Sequence, residues 1–234
     1  MTQVFHSFIF QPIYNALIFL YNVLPGHDLG VAIIILTILI RVILYPIAQK
    51  QIESQKKMQE LQPEIKKIQE KYKGDKEKQG RALMDFYKEN KVNPASGCLP
   101  LIIQIVFFIA LYRAFIAGLN FNSGCVDLYA FVKCPAEIKV TFLGLVNLAK
   151  PSIFLAVVAA AGQFIQTKMI MPKTNLTQGK SDFSAVMNQQ MLYLGPLLTL
   201  FIGVKFPAGL ALYWVVNTLF AIGQQYLIIK KTTN

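Results

Sequence analysis

The sequence predicts an all-α polytopic membrane protein with five transmembrane helices, an N-terminal amphipathic helix in the membrane interface and a cytoplasmic helical hairpin. Of its 234 residues, 54% are hydrophobic and 15% are charged, whereas about 25% of the residues in a typical soluble domain are charged. The charges are also unevenly distributed, because five long apolar blocks are almost free of them. Blocks of this length are typical of membrane spans. They argue against a secreted soluble protein, a cytosolic enzyme and a basic nucleic-acid-binding domain.

Residues 1–28 predict an amphipathic helix that lies in the membrane interface. Polar residues fall mostly at every fourth position of an otherwise apolar stretch, at Gln3, Ser7, Gln11, Asn15 and Asn22. This polar stripe, together with Pro12, favours an interfacial helix over a spanning one. The stretch has neither a basic n-region nor a small-residue cleavage site, so it is expected to stay in the mature protein.

The first predicted span covers residues 29–48, and a charged segment follows it. Positions 49 to 94 carry twelve Lys or Arg and eight Asp or Glu. Apolar residues recur in this segment at spacings of three and four, as in an amphipathic helix, at Met58, Leu61, Ile65, Ile68 and Tyr72. Leu83 and Tyr87 mark a second, shorter helix. Residues 49–97 are therefore predicted to form a helical hairpin.

Four more spans are predicted in the rest of the chain, at residues 98–118, 151–170, 189–204 and 207–229. They are connected by an external loop at 119–150 and a cytoplasmic loop at 171–188, and a cytoplasmic tail follows at 230–234. The side that holds the hairpin carries seventeen Lys or Arg, whereas the opposite side carries four. The positive-inside rule therefore predicts an external N-terminus and a cytoplasmic C-terminus.

Arg41 is the most informative residue of the predicted spans, because an arginine at the centre of a membrane helix costs about 2.5–3.5 kcal/mol. Thr37 lies one turn before it, and Gln104 and Asn217 interrupt two other spans. Two interpretations are open. The side chain could reach back to the cytoplasmic headgroups, or it could line a hydrated cavity that opens to the cytoplasm. The predicted spans contain no Asp or Glu to pair with Arg41, which favours the cavity.

Two further pairs of residues carry predictions. Tyr213 and Trp214 lie inside the fifth span, where they either belong to an interfacial aromatic belt or line the cavity. Cys125 and Cys134 lie nine positions apart in the external loop, which faces an oxidising compartment and therefore predicts a disulfide. The cysteines and histidines do not match a metal-binding spacing, and enzyme motifs are absent, so no metal, cofactor or catalytic site is expected.

Several motifs occur in order along nearly the whole chain. They are Leu39-Ile40-Arg41-Val42 with Tyr45-Pro46, Lys57-Met58-Gln59 with Leu61-Gln62-Pro63-Glu64, Val92-Asn93-Pro94 with Gly97-Cys98-Leu99-Pro100 and Ile103-Gln104, and Phe206-Pro207-Ala208-Gly209-Leu210 with Tyr213-Trp214 and Gln224-Gln225. Together they resemble the YidC/Oxa1/Alb3 family of membrane protein insertases, as found in bacterial membranes.

The resemblance implies a five-helix core with a basic hydrophilic groove that opens to the cytoplasm and to lipid. Arg41 would be the groove arginine, and Thr37, Gln104 and Trp214 would lie near the groove or contact substrate. The implied function is ATP-independent insertion and chaperoning of nascent membrane proteins with short translocated segments, in the bacterial inner membrane. The lipid bilayer, the Sec translocon and the ribosome are the other implied partners, without nucleic-acid recognition.

The chain is also expected to depart from that family. It is expected to lack the additional first transmembrane helix and large periplasmic domain of Gram-negative members, the lipoprotein signal of many Gram-positive members and a long basic C-terminal tail. Two alternative functions stay open on the sequence alone. One is a small channel or transporter that uses the same hydrated cavity, and the other is a structural assembly factor for membrane complexes.

Overall fold

The computed structural model describes residues 3–93, 99–119, 125–171 and 183–233. These residues are mostly helical. The helices are α1 (Gln3–Val23), α2 (Leu29–Ile43), α3 (Tyr45–Glu60), α4 (Gln62–Lys71), α5 (Lys76–Glu89), α6 (Leu99–Leu119), α7 (Ile153–Ile170), α8 (Phe183–Lys205) and α9 (Ala208–Thr233). A two-stranded antiparallel hairpin, β1 (Thr141–Phe142) and β2 (Val146–Asn147), lies between α6 and α7.

Three described helices are long and apolar enough to cross a membrane. They are α1, α7 and the Ala208–Lys230 part of α9. The helices α2 and α3 would count as a fourth if the bent pair is a single span, and Ile102–Gly118 and Leu192–Lys205 are shorter apolar segments. An all-α membrane protein is therefore confirmed at this level. The five-span count, the bounds relative to the bilayer and the side of each loop stay predictions.

The polar stripe of α1 contacts the protein itself. Asn15 is 3% exposed. Its side-chain amide donates to the carbonyl of Asp127 at 2.9 Å and accepts from the backbone N–H of Tyr129 at 2.6 Å. Gln11 donates to the same Asp127 carbonyl at 3.2 Å. Gln11 and Asn15 are therefore hydrogen-bonded within the protein and do not require lipid headgroups as partners. The helix α1 combines the polar pattern of an interfacial helix with the length of a membrane span.

The first predicted span, residues 29–48, is not one straight helix. The structure ends α2 at Ile43 and bends by 66° before α3 begins at Tyr45. The cause is Pro46, which has no N–H to donate and whose ring clashes with the carbonyl of the residue four positions earlier in a continuous helix. Pro46 is accommodated in the first turn of α3 instead. After the bend, α3 contacts α6 and α9.

The charged segment contains two helix breaks. A break at Leu61 precedes Pro63, which occupies the first turn of α4. The second break, at residues 72–75, separates α4 from α5, and Asp75 caps α5 by accepting from the N–H of Lys78 at 3.0 Å. The helices α4 and α5 contact each other, since the Gln79 side chain donates to the carbonyl of Gln69 at 2.8 Å. Ile65 is 3% exposed at the centre of this small contact.

Two helices near the C-terminus extend beyond the predicted spans. The helix α8 begins at Phe183, so the end of the predicted loop 171–188 is helical, whereas residues 172–182 lie outside the described part of the chain. The helix α9 runs to Thr233 and includes most of the predicted tail 230–234. Neither extension contains Gly or Pro, so its sequence does not stop a helix.

The largest apolar core lies where α1, α2, α6 and the start of α9 meet the 125–150 region. Leu17, Leu36 and Ala110 are each no more than 4% exposed in it. The β1–β2 hairpin packs on the start of α2, where Gly30 lets the Phe142 ring approach the helix backbone. The helix α7 packs on both α8 and α9. This arrangement leaves the opposite ends of α2, α6, α7 and α9 around a polar cavity.

Candidate functional site

A cavity of about 250 Å³ is enclosed by α2, α3, α6, α7 and α9. Arg41 is the charged residue of its lining, and neutral polar side chains supply much of the rest of the wall. The polar and aromatic lining residues are Thr37, Gln51, Gln55, Gln104, Phe107, Gln163, Gln166, Tyr213, Trp214, Asn217, Thr218, Gln224 and Gln225. The site residues that the sequence singled out, Arg41, Thr37, Gln104, Tyr213 and Trp214, are all brought together here.

A chain of hydrogen bonds joins Arg41 to two other helices. The Nε–H of Arg41 donates to Oδ1 of Asn217 at 2.6 Å. The Nδ2 of Asn217 donates to Oε1 of Gln104 at 2.8 Å, and Nε2 of Gln104 donates to the hydroxyl of Tyr213 at 3.3 Å. The chain therefore connects α2, α9 and α6 through uncharged partners.

Arg41 has no carboxylate partner among the described residues. Its one hydrogen bond in this part of the chain is to Asn217, and the cavity lining contains no Asp or Glu. A charge in a medium of low dielectric constant interacts strongly with any opposite charge that approaches it. The cavity is therefore suited to attract an anionic group.

Thr37 and Trp214 are held in place on two walls of the cavity. The Thr37 hydroxyl donates to the carbonyl of Ile33 at 2.6 Å, so this buried group is already satisfied within α2. The indole N–H of Trp214 donates to Oε1 of Gln163 at 2.7 Å and ties α9 to α7. The hydroxyl of Tyr213 and the indole N–H of Trp214 therefore both form hydrogen bonds inside the protein.

Aromatic rings pack behind Trp214, which lines the cavity. Phe108 lies edge-on to Trp214 and to Phe206, with ring centroids 5.6 and 6.1 Å apart. Tyr112 lies 5.4 Å from Phe206 in the same arrangement. One end of the cavity is lined by α3 and by the C-terminal parts of α7 and α9. This end of the cavity therefore lies beside α3, the helix that begins the charged segment.

Comparison with known protein families shows which family the chain belongs to. The family model of the 60Kd inner membrane protein matches residues 19–234. The chain belongs to the 60Kd inner membrane protein family. This result confirms the resemblance that the sequence motifs indicated.

The curated relatives that match this chain are named membrane protein insertase YidC. The protein from Fusobacterium nucleatum is 35% identical over 227 residues, which cover 96% of this chain and 98% of that protein. The protein from Syntrophus aciditrophicus is 36% identical over 221 residues, covering 94% of this chain and 36% of that protein. The Geobacter sulfurreducens protein is 35% identical over 220 residues, or 93% and 36% respectively. The chain thus spans little more than a third of the latter two relatives.

Sequence reasoning missed four glutamines of the cavity in this family member. Gln163 and Gln166 lie on α7, and Gln51 and Gln55 lie on α3. The first two interrupt an apolar run three positions apart, which is the same signal that drew attention to Gln104. The α3 pair was assigned to the solvated hairpin because the bend before Pro46 is not visible in the composition.

Three buried polar atoms of the lining have no hydrogen-bond partner among the described residues. They are Nε2 of Gln51, Oγ1 of Thr218 and Oε1 of Gln225. A buried polar atom without a partner costs about 1–3 kcal/mol. The Gln51 nitrogen donates, the Gln225 oxygen accepts and the Thr218 hydroxyl can do both, so a polar ligand that offers donors and acceptors could satisfy them.

Cys125, Cys134 and Arg113 are not part of the cavity lining. Cys125 and Cys134 are joined as a disulfide, with Cα atoms 5.7 Å apart. Arg113 lies 6.0 Å from the centre of the Phe5 ring and does not line the cavity. No group of three His, Cys, Asp or Glu that could hold a metal ion occurs within the described residues.

Proposed function

We propose that this 60Kd inner membrane protein family member is an ATP-independent membrane protein insertase and chaperone. The observation that carries the proposal is Arg41 in a polar cavity, held by neutral Asn217 and without a carboxylate among the described lining residues. The name of the relatives, membrane protein insertase, supports the same activity. No covalent bond is made or broken. The protein lowers the free-energy barrier that a polar segment meets when it crosses the bilayer.

The polar cavity lowers this barrier by shortening the apolar distance that a polar segment must cross. The polar flank of a nascent membrane protein enters the cavity from the side of α3, where glutamines replace part of its hydration. Arg41 attracts acidic residues of this flank. The apolar segment of the substrate then moves into lipid, and its removal from water supplies about 25 cal/mol per Å² as the driving force.

The proposal includes a location and partners. The protein lies in the bacterial inner membrane, with α4 and α5 in the cytoplasm, where they meet the emerging substrate. Its direct partners are nascent membrane proteins with short translocated segments and the surrounding lipid. The Sec translocon and the ribosome are candidate partners of the cytoplasmic face.

Reconstitution with a charge-matched pair of substrates tests the proposal. The purified protein is placed in ATP-free liposomes and supplied with a single-span substrate whose short flank is acidic, or carries amides in place of the acids. Protease protection of the flank measures insertion. Arg41→Ala should reduce insertion of the acidic substrate by about tenfold or more, because the attracting charge is lost. Arg41→Lys should retain much of it, since a point charge is enough for attraction.

Arg113→Ala provides a matched control, because it removes an arginine that does not line the cavity. It should insert both substrates at the wild-type level. Neutralising the flank should make insertion less dependent on residue 41. If Arg41→Ala inserts both substrates as the wild type does, Arg41 only reaches toward the headgroups and has no part in insertion.

A small anion channel is the second candidate function, because a cationic cavity without carboxylates would also attract small anions. The same liposomes distinguish it by chloride flux without any substrate protein. Flux in the wild type that Arg41→Ala abolishes, together with no insertion, would favour the channel. Insertion by the purified protein alone would in turn exclude a purely structural assembly factor.

A further inference from the structure

The hydrogen-bond geometry of Arg41 leaves one side of its guanidinium group available. Asn217 binds the Nε–H, and no partner for the two terminal nitrogens occurs in the described part of the chain. Two terminal N–H groups in a fixed plane match the two oxygens of a carboxylate. An arginine held through Nε can therefore still receive an acidic side chain end-on.

Asn217 is itself fixed in orientation. It is 7% exposed, and its Nδ2 donates to Gln104, whose own amide donates to Tyr213. Because the amide nitrogen is used in this way, the amide oxygen faces Arg41. The network therefore selects one rotamer of Asn217, and Asn217 selects one orientation of the guanidinium group.

The neutrality of Asn217 matters as much as its shape. Aspartate has nearly the same size and would also accept from Nε at this position. An aspartate would, however, neutralise Arg41 inside the protein and compete with any acidic group that enters the cavity. An amide holds the arginine without cancelling its charge.

We propose that Asn217 is a positioning residue that orients Arg41 and keeps its charge uncompensated, which gives the cavity its preference for acidic substrate segments. This inference rests on the proposed function, in which Arg41 attracts those segments. Asn217 acts through Arg41 and does not need to contact the substrate.

The test is Asn217→Asp in the liposome assay with the acidic and neutralised substrates. The internal ion pair should lower insertion of the acidic substrate by about tenfold or more, toward the level of Arg41→Ala, because the new carboxylate competes for the same cation. Insertion of the neutralised substrate should fall much less, because that substrate has no acidic group for the new carboxylate to compete with. The ratio of the two yields is the readout, since a merely structural role would lower both yields together.

Asn217→Leu provides a second variant of similar size that has neither charge nor acceptor. It should lower insertion of the acidic substrate by about threefold or more, because one oriented hydrogen bond is lost. In an Arg41→Ala background the same substitution should change the ratio no further, because residue 217 then has no charge to position. Thermal unfolding in detergent identifies any variant that does not fold.

Each outcome decides a separate question. If the wild-type protein inserts neither substrate, the proposed function fails, and if Arg41→Ala leaves the preference for the acidic substrate unchanged, the proposed role of Arg41 fails. If Arg41→Ala abolishes the preference but folded Asn217→Asp retains it, only the role of Asn217 is overturned. An equal loss for both substrates also overturns that role. If Asn217→Asp does not fold, Asn217→Leu decides, and wild-type yields of the acidic substrate would contradict the inference.

Discussion

At the scale of single residues, Arg41 is stabilised by hydrogen bonding and not by an opposite charge. A buried ion pair repays its desolvation only with excellent geometry, and it would leave little attraction for a third group. Asn217 accepts from Nε at 2.6 Å and leaves the formal charge in place. The cost of an unpaired charge among apolar helices is thus linked directly to its proposed use in attracting an anionic segment.

Residue-scale packing between α7 and α8 depends on Gly203. A Cβ atom added there would lie 2.7 Å from the Cβ of Ala156 and 3.0 Å from its Cα, whereas one added at Gly223 would meet nothing within 4 Å. Small residues allow helices to approach closely in membranes. Gly203 and Ala156 are therefore predicted to set the distance between α7 and α8.

The prediction is tested with two matched substitutions of glycine in a helix. Gly203→Ala should lower the free energy of unfolding by about 1–3 kcal/mol, because overpacking forces the helices apart. Gly223→Ala should leave it unchanged or raise it by up to about 1 kcal/mol, because alanine favours the helix. Unfolding in mixed detergent and denaturant measures both. A Gly203→Ala protein as stable as Gly223→Ala would contradict the predicted close contact.

Much of the candidate site could be predicted from the sequence, for a physical reason. Arg41, Gln104 and Trp214 interrupt apolar runs, and such residues have few places to lie in a membrane protein except a polar cavity. Their connections could not be predicted. The Arg41–Asn217–Gln104 chain depends on the relative rotation of three helices, which the composition of each helix does not encode.

At the scale of elements, Pro46 and Pro63 account for two breaks between helices. The structure ends α3 at Glu60 and begins α4 at Gln62, so Pro63 lies in the first turn of a new helix. Pro46 was placed inside a continuous span, yet it bends the chain by 66° and brings Gln51 to the cavity. Apolar residues on both sides of Pro46 hid this bend, because hydropathy averages over a window and does not register a missing N–H.

The pH dependence of α5 is predicted from its N-cap. The backbone N–H of Lys78, followed by its ammonium group, holds the pKa of the Asp75 carboxyl below its ordinary value. A lowered pKa in the folded state means that Asp75 stabilises the helix above the unfolded-state pKa of about 3.9. This stabilisation is lost as the pH falls through the lowered value.

Hydrogen-exchange protection of the first turn of α5 measures the effect. Protection should be lower at about pH 3 than at about pH 5 in the wild type, because protonation weakens the cap. Asp75→Asn keeps an acceptor that does not titrate and should show a smaller change. Equal pH dependence in the two proteins would mean that another group controls the start of α5.

The disulfide of the external loop is predicted to stabilise the contact with α1. Cys125 and Cys134 are nine positions apart, and closing a loop of this size contributes about 2–3 kcal/mol in the chain-entropy model. The loop between them supplies Asp127 and Tyr129, which bind Asn15 of α1. Loss of the bond is therefore expected to loosen α1 as well as the loop.

Alkylation before and after reduction checks this prediction. In membranes from aerobically grown cells, both cysteines should be modified only after a reductant is added. Cys134→Ser should expose Cys125 to the reagent and increase hydrogen exchange at 11–15. Full modification of both thiols without reductant would show that the bond does not form in the cell.

At the scale of the whole molecule, the charge distribution and the packing predict the same orientation in the membrane. The apolar core includes Phe142 and Val146 of the β1–β2 hairpin, whereas the cavity is lined by α3 and the C-terminal parts of α7 and α9. The positive-inside prediction puts seventeen Lys or Arg on the side of the charged segment and four on the other side. A polar segment from the cytoplasm would therefore meet the open end of the cavity first.

Cysteine labelling of two exposed lysine positions tests this orientation. In a protein whose native cysteines are replaced by serine, Lys76→Cys lies at the start of α5 and Lys150→Cys lies beside the start of α7. An impermeant maleimide added to intact spheroplasts should label Lys150→Cys and leave Lys76→Cys unmodified, because basic segments are retained in the cytoplasm. Permeabilised cells should label both, which controls for reactivity. Labelling of Lys76→Cys in intact spheroplasts would place the open end of the cavity outside, where no nascent chain is delivered, and would contradict the insertion path as well as the topology.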